Sequence, residues 1–240
     1  MMQDENLITE DEVSEAPCVP SRQAMVLEVC VFLFLIVPSM VLSFFVGGED
    51  KIGFVLLAVS AIFRDLALVS LILFFAWRDR EPLRRLGLSS KDVDRNILLG
   101  FALYVPFLFV IGLVTQVLTS LGLSQPSEPG PSYFHVGGHW QLALAVVLVV
   151  VVAVSEELIF RGYLINRLRT ATGNTAAAVA LSSVIFALGH GYEGSLGVIT
   201  VGVMGLIFSL IYLWRQSLVV PIVLHFLQDF VAIVLAPYLM

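Results

Sequence analysis

Long apolar runs separated by short polar segments make up most of the chain after residue 24. The runs are continuous and do not alternate with polar residues, so they predict α-helices and not the strands of a β-barrel. Seven helices are predicted: residues 25–46, 52–77 and 96–120, a run that begins near residue 140, and residues 175–190, 195–214 and 218–238. We therefore predict an all-α fold, a polytopic transmembrane helical bundle of about seven to eight spans.

The fifth predicted helix, residues 175–190, is too short to cross a bilayer. Its roughly 16 residues span about 24 Å, less than the ~30 Å hydrocarbon thickness. We expect the helix to end inside the membrane, followed by irregular backbone over residues 189–194. Such backbone is tolerated at depth only where it is buried in protein or lines a wet cavity. This predicts a water-filled pocket near His190 and leaves room for an eighth short helix.

Composition and charge agree with a membrane protein. The 240 residues are 58% hydrophobic and 13% charged, with a mean hydropathy of +0.94, well above the apolar share of soluble domains. The net charge of −6 arises largely from acidic residues among the first fifteen, so residues 1–23 are predicted as a disordered tail. That tail lacks the basic region of a cleaved signal peptide, so the first apolar run is expected to remain as an anchor.

Basic residues predict the orientation of the chain. Residues 78–95 hold the densest cluster of Lys and Arg, and the positive-inside rule places such a loop in the cytoplasm. The amino terminus is then cytoplasmic and the carboxyl terminus lies outside. Beyond the tail, we divide the chain into amino-terminal transmembrane helices, residues 24–121, and a core that carries the chemistry, residues 139–240.

Ionisable residues inside apolar helices are costly and mark a candidate site. Three predicted helices carry them: Glu156, Glu157 and Arg161 on the fourth, His190 on the fifth, and His225 with Asp229 on the seventh. Glu157 and Arg161 are four residues apart with the acid first, the favourable order for a helical ion pair. Glu156 is rotated from Glu157 by about 100°, so we predict that it faces the pocket while the pair braces it. Asp229 follows His225 by one helical turn and can orient or polarise it.

This set of residues permits two chemistries. Glu156, His190, His225 and Asp229 could supply a base that activates water and donors that stabilise the oxyanion of a hydrolysis. Alternatively, Glu156, His190 and His225 could ligate zinc and leave one position open for water. Each residue alone also has a structural explanation, such as an interhelical hydrogen bond for His190. Three such elements in one chain are hard to explain by packing.

A further charged pair, Arg64 and Asp65, lies in the middle of the second predicted span. Adjacent opposite charges neutralise each other, and a long Arg side chain can reach toward the interface. We interpret this pair as locally paired and not as part of the site.

The motifs together resemble the CAAX-prenyl-protease and bacteriocin-processing family of intramembrane proteases, which includes the type II CAAX prenyl endopeptidases and the bacterial Abi proteins. The family pattern is EExxxR, then FxxxH, then HxxxN or HxxxD. Here the three motifs read Glu156-Glu157-Leu-Ile-Phe-Arg161, Phe186-Ala-Leu-Gly-His190 and His225-Phe-Leu-Gln-Asp229. The resemblance covers about residues 140–238, with a weaker likeness at Arg85-Leu86-Gly87-Leu88.

The resemblance implies hydrolysis of a peptide bond within the membrane. Its roles map onto this chain as follows: Glu156 as general base, His190 assisting it, His225 with Asp229 stabilising the transition state, and Glu157 with Arg161 holding the geometry. Family members are commonly described as metalloproteases, so one divalent metal, zinc, on Glu156, His190 and His225 is one alternative, and a metal-free glutamate mechanism is the other. An ionised Asp229 only accepts hydrogen bonds and cannot donate one to an oxyanion as Asn could.

The expected partners are the lipid bilayer and a hydrophobic or lipidated peptide or protein, including a prenylated CAAX-type substrate; no nucleic acid is expected. The resemblance favours an integral protein of the bacterial cell inner membrane. The main rival function is a non-catalytic immunity or scaffold protein that uses the same pocket for binding. A proton- or ion-coupled transporter is less favoured, because the sequence shows no evident internal repeat.

Overall fold

The computed structural model describes residues 21–44, 53–123 and 138–235, and every regular element within them is helical. The α-helices are α1 (Arg22–Ser43), α2 (Phe54–Arg78), α3 (Val93–Ser120), α4 (His139–Glu157), α5 (Ile165–Thr172), α6 (Thr175–Leu188), α7 (Gly194–Arg215) and α8 (Val219–Asp229). The predicted all-α class is confirmed. Residues 1–20 of the predicted acidic tail lie outside the described residues.

Five helices in the described ranges are long and apolar enough to cross a membrane: Arg22–Val41, Phe54–Arg78, Val93–Ser120, His139–Thr172 and Gly191–Arg215. Two shorter apolar helices, Thr175–Leu188 and Val219–Leu235, accompany them. The chain is thus a multi-pass helical membrane protein, in agreement with the predicted bundle. The parts of the first and last predicted spans beyond residues 44 and 235 lie outside the described residues.

The motif helix is longer than a single α-helix. α4 continues through a π-helical segment, Leu158–Leu164, into α5, and the three form one apolar helix of 34 residues, His139–Thr172. A second π-helical segment, Phe230–Leu235, follows α8 directly after Asp229. π-helical turns are rare and are frequent at functional sites. Here each begins immediately after a motif that the sequence singles out.

α6 ends two residues earlier than predicted. The helix ends at Leu188, whereas the sequence pattern placed its end at His190. Gly189 and His190 form a turn, a 3-10 turn covers Gly191–Glu193, and α7 starts at Gly194. The α-helical structure is therefore interrupted over residues 189–193, within the predicted range, but Gly194 is already helical. His190 lies in this break and not on the helix.

α2 and α4 pack closely against each other. Ala58 on α2 and Ala145 on α4 are both fully buried in one cluster of apolar side chains. Small side chains let helix backbones approach closely in a membrane. α8 packs on α3 and α4, and α6 packs on α5 and α7. The carboxyl end of α4 is therefore enclosed by α2, α8 and the segments that follow it.

A buried carboxylate, Glu28 on α1, joins several elements at one end of the bundle. It accepts hydrogen bonds from Arg78, from Arg167 Nε at 3.1 Å and from the Tyr163 hydroxyl at 3.3 Å. Arg167 also pairs with Glu81 at 2.7 Å. Burial of paired charges requires such complete partnering. We call Glu28, Arg78, Arg167 and Glu81 the Glu28 cluster.

The loop between α2 and α3 contacts the motif helix at Arg85, and α7 and the start of α8 at Gly87. This residue has φ of +78°, a conformation that favours glycine, and a Cβ there would clash with Tyr212. Its carbonyl accepts the Leu218 backbone N–H at 3.1 Å, and Asn166 donates to the carbonyl of Arg85 at 2.7 Å. The Arg85-Leu86-Gly87-Leu88 segment thus ties the start of α8 to α5.

Candidate active site

Glu156 lies at the end of α4 with only 9% of its surface exposed. Its Oε1 is 3.8 Å from Arg64 Nη2, and its Oε2 is 3.8 Å from His225 Nε2. Oε2 makes no hydrogen bond within the described residues. A buried, unpartnered carboxylate oxygen is costly unless a water or a ligand satisfies it. Glu156 therefore has the surroundings of a group that holds a water molecule.

The predicted ion pair between Glu157 and Arg161 is present and fully buried. Arg161 Nη1 lies 2.8 Å from Glu157 Oε1, and both residues are 0% exposed. Arg161 Nη2 also donates to the Gly205 carbonyl at 3.3 Å, and the guanidinium lies 4.3 Å from the centre of the Phe186 ring. Such a desolvated cation–π contact and ion pair restrict the side chains. The pair therefore fixes the end of α4 against α6 and α7.

His225 connects the two glutamates. Its Nδ1 lies 2.8 Å from Glu157 Oε1, and its Nε2 lies 3.4 Å from Asp229 Oδ2. Since an ionised carboxylate only accepts hydrogen bonds, the Glu157 contact requires the proton on Nδ1. Nε2 then points toward Asp229 and Glu156. Glu157 thus orients the ring, a role that the sequence reasoning assigned to Asp229 alone.

His190 lies near this group without contacting Glu156. Its Nδ1 is 3.1 Å from the Phe186 carbonyl, and its ring centre is 5.0 Å from that of Phe186. The Phe186 ring in turn meets the His225 ring at 6.0 Å. Within the described part of the chain, no hydrogen bond or ion pair joins His190 to Glu156. The assistance of Glu156 by His190 stays a prediction that would require water or substrate between them.

Arg64 and Asp65 form the local pair that the sequence predicts, and they also lie beside Glu156 of the candidate site. The two do form the predicted local pair, with Arg64 Nε and Nη2 each 2.8 Å from Asp65 Oδ1. Arg64 also lies 3.8 Å from Glu156, and Asp65 is only 1% exposed. The placement follows from the packing of α2 on α4. Their charge at mid-span was the available signal, but spacing along the chain does not show which helices meet.

Zinc ligation by Glu156, His190 and His225 stays a prediction. In the described residues, no group of three or more His, Cys, Asp or Glu side chains is placed to hold a metal ion. The Nδ1 atoms of His225 and His190 face a carboxylate and a backbone carbonyl, contacts that leave the two Nε2 atoms as the ones that could ligate a metal. A catalytic zinc site needs three converging protein ligands.

The side chains around Glu156 are partly exposed, and they mark the side from which Glu156 can be reached. The Asp229 side chain is 24% exposed and that of Arg64 is 48% exposed. The structure has a cavity of about 860 Å³, but this cavity is lined by the end of α2 and by residues 80–83, away from Glu156. The predicted water-filled pocket near His190 stays a prediction.

Comparisons with known proteins give two matches. Residues 138–231 match the family described as type II CAAX prenyl endopeptidase Rce1-like. The chain is 32% identical over 162 residues to the membrane-embedded CAAX protease MroQ of Staphylococcus aureus (strain USA300), with 60% of each chain covered. The chain thus spans less than two thirds of the length of this curated relative. No solved structure matches significantly.

Proposed function

We propose that the chain is an intramembrane endopeptidase, because residues 138–231 match the type II CAAX prenyl endopeptidase Rce1-like family and a membrane-embedded CAAX protease is 32% identical over 162 residues. Its substrate is a hydrophobic or lipidated peptide or protein, including a prenylated CAAX-type protein. The observation that carries the proposal is the Glu156 carboxylate, which is buried, lacks a partner at Oε2 and is flanked by His225. This is the arrangement that a general base for water requires.

In the proposed reaction, Glu156 takes a proton from a water molecule held at Oε2. The water oxygen attacks the carbonyl carbon of the scissile peptide bond, and the proton later passes to the leaving amine. His190 assists by orienting the water or the peptide. His225, whose ring Glu157 orients, presents Nε2 toward the reacting atoms. Buried and preorganised groups of this kind lower the barrier most effectively.

The membrane placement extends this proposal. We place the amino terminus in the cytoplasm, because residues 78–95 carry the basic cluster, and the protein in the bacterial inner membrane. Reporter fusions after residues 90 and 130 would test the orientation. A cytoplasmic reporter signal is expected at residue 90 and an external one at residue 130; the reverse pattern would contradict it.

The test of function is cleavage of quenched fluorescent peptides, with and without a lipid group, by detergent-purified protein. Glu156→Ala and His190→Ala are expected to abolish cleavage. His139→Ala is the matched control, because His139 is an exposed histidine at the start of α4. Absence of cleavage by the parent protein, with all variants folded, would favour the binding or immunity function. Substrate-driven ion flux in proteoliposomes would favour a transporter.

A further inference from the structure

Asp229 leaves the proposed reaction without an evident donor for the oxyanion. When water attacks the peptide carbonyl, its π electrons move to the oxygen, which becomes negatively charged. An ionised Asp229 only accepts hydrogen bonds, and it lies on the same side as His225 Nε2, at 3.4 Å. A positively charged donor on the other side of Glu156 would meet this need.

Arg64 is such a donor. Its Nη2 lies 3.8 Å from Glu156 Oε1, whereas His225 lies next to the other oxygen, Oε2. The Glu156 carboxylate therefore lies between a histidine and a guanidinium. When a water held at Glu156 attacks a carbonyl carbon, the negative charge on the carbonyl oxygen would develop within reach of the guanidinium.

Arg64 also remains available to a ligand. Its side chain is 48% exposed, whereas the other cation of the site, Arg161, is 1% exposed and committed to Glu157. A guanidinium has five N–H donors, and the Asp65 carboxylate engages those of Nε and Nη2. Asp65 is nearly fully buried and anchors the guanidinium on α2.

We propose that Arg64 is a catalytic residue whose guanidinium donates a hydrogen bond to the oxyanion formed during peptide hydrolysis. This inference rests on the proposed peptidase function. The step conserves atoms and charge: water adds to the carbonyl carbon, Glu156 receives the proton, and Arg64 stabilises the negative oxygen. The carbonyl then re-forms as the C–N bond breaks, and the proton goes from Glu156 to the amine.

The experiment compares kcat and KM of four purified variants on a peptide that the parent protein cleaves. Arg64→Gln combined with Asp65→Asn removes both charges, so Asp65 is not left as a buried carboxylate without its partner. If the ion pair is purely structural, the neutral pair replaces it. Arg64→Lys keeps the charge but loses the planar fork. Arg95→Gln is the control, because Arg95 is exposed at the start of α3. Glu156→Ala identifies background hydrolysis.

The double variant is expected to lose about 10²- to 10³-fold in kcat with little change in KM, as on removal of one oxyanion donor. Arg64→Lys is expected to lose at least about tenfold, which tests the role even if the double variant fails to fold. Parental kcat in both would overturn the role of Arg64. A raised KM with unchanged kcat would overturn it in favour of ground-state binding. No cleavage by the parent protein would instead overturn the proposed function, and this inference with it.

Discussion

His225 Nδ1 lies 2.8 Å from Oε1 of Glu157, the same oxygen that receives Arg161 Nη1 at 2.8 Å. The second glutamate of the double-Glu motif therefore orients a histidine from another helix as well as pairing with Arg161. Glu156, one residue earlier, faces Arg64 and His225 Nε2 instead. Two adjacent carboxylates thus have different surroundings and, we infer, different roles.

Glu156→Gln is expected to affect cleavage, whereas Glu157→Gln is expected to affect the stability of the fold. Glu156→Gln removes the base and should abolish cleavage with little effect on stability, because Oε2 has no partner to lose. Glu157→Gln leaves the fully buried Arg161 without its counter-charge, and breaking a buried pair costs about 3–5 kcal/mol. Thermal unfolding in detergent, measured beside peptide cleavage, distinguishes the two. Equal losses of stability in both variants would contradict this division of roles.

Asp229→Asn tests whether the charge of this residue matters. Asp229 faces His225 Nε2 at 3.4 Å, so an ionised carboxylate can stabilise positive charge on the ring. We expect kcat to fall about tenfold. This decrease is smaller than the whole factor by which general acid–base catalysis raises a reaction rate. Activity equal to that of the parent protein would show that position 229 needs a hydrogen-bonding side chain but no charge.

Metal removal is expected to leave cleavage unchanged. In the described residues, no group of three or more His, Cys, Asp or Glu side chains is placed to hold a metal ion. Activity after treatment with a strong chelator, together with zinc content of the purified protein, measures this. Loss of activity that zinc alone restores would show that the site rearranges to bind metal.

Ser43→Ala is expected to lower kcat through the position of His190. The Ser43 hydroxyl accepts the Gly191 backbone N–H at 3.1 Å, and its own proton has two carbonyl acceptors, Met40 at 2.6 Å and Leu188 at 3.2 Å. It therefore contacts both sides of the break that contains His190. Loss of the hydroxyl leaves a buried N–H unpaired, which costs about 1–3 kcal/mol locally. We expect a several-fold decrease in kcat.

Ser39→Ala is the matched control for this prediction. The Ser39 hydroxyl bonds only to the carbonyl of Ile36 in its own helix, and the residue is exposed. Its substitution should leave kcat unchanged. Equal effects of the two substitutions would show that Ser43 acts through the stability of α1 and not through His190.

The sequence was sufficient for the helices and for the separate motifs. Continuous apolar runs predicted the helical bundle, and four-residue spacing predicted the Glu157–Arg161 pair, because both depend on periodicity along one helix. Contacts between helices do not follow from that periodicity. The roles of Arg64 beside Glu156 and of Glu157 beside His225 depend on how α2 and α8 pack on α4, which the one-dimensional pattern does not contain.

The end of α6 shows a second limit. Apolar residues continue to Leu188, and a histidine four residues after Phe186 suited the same helical face. Glycines on both sides of His190 lower the stability of the helix there, and the chain turns before the histidine. Helix ends are less predictable than helices because small local preferences decide them.

Ser43 on α1 contacts residues 188 and 191, so the motif-bearing half of the chain depends on a helix outside it. A fragment that begins at residue 138 would contain all three motifs yet lack the hydroxyl that spans the break at His190 and the guanidinium of Arg64. Its exposed polar backbone would face lipid. This fragment is therefore not expected to be active by itself. Chimaeras that join it to foreign helices should be inactive unless they also include α1 and α2.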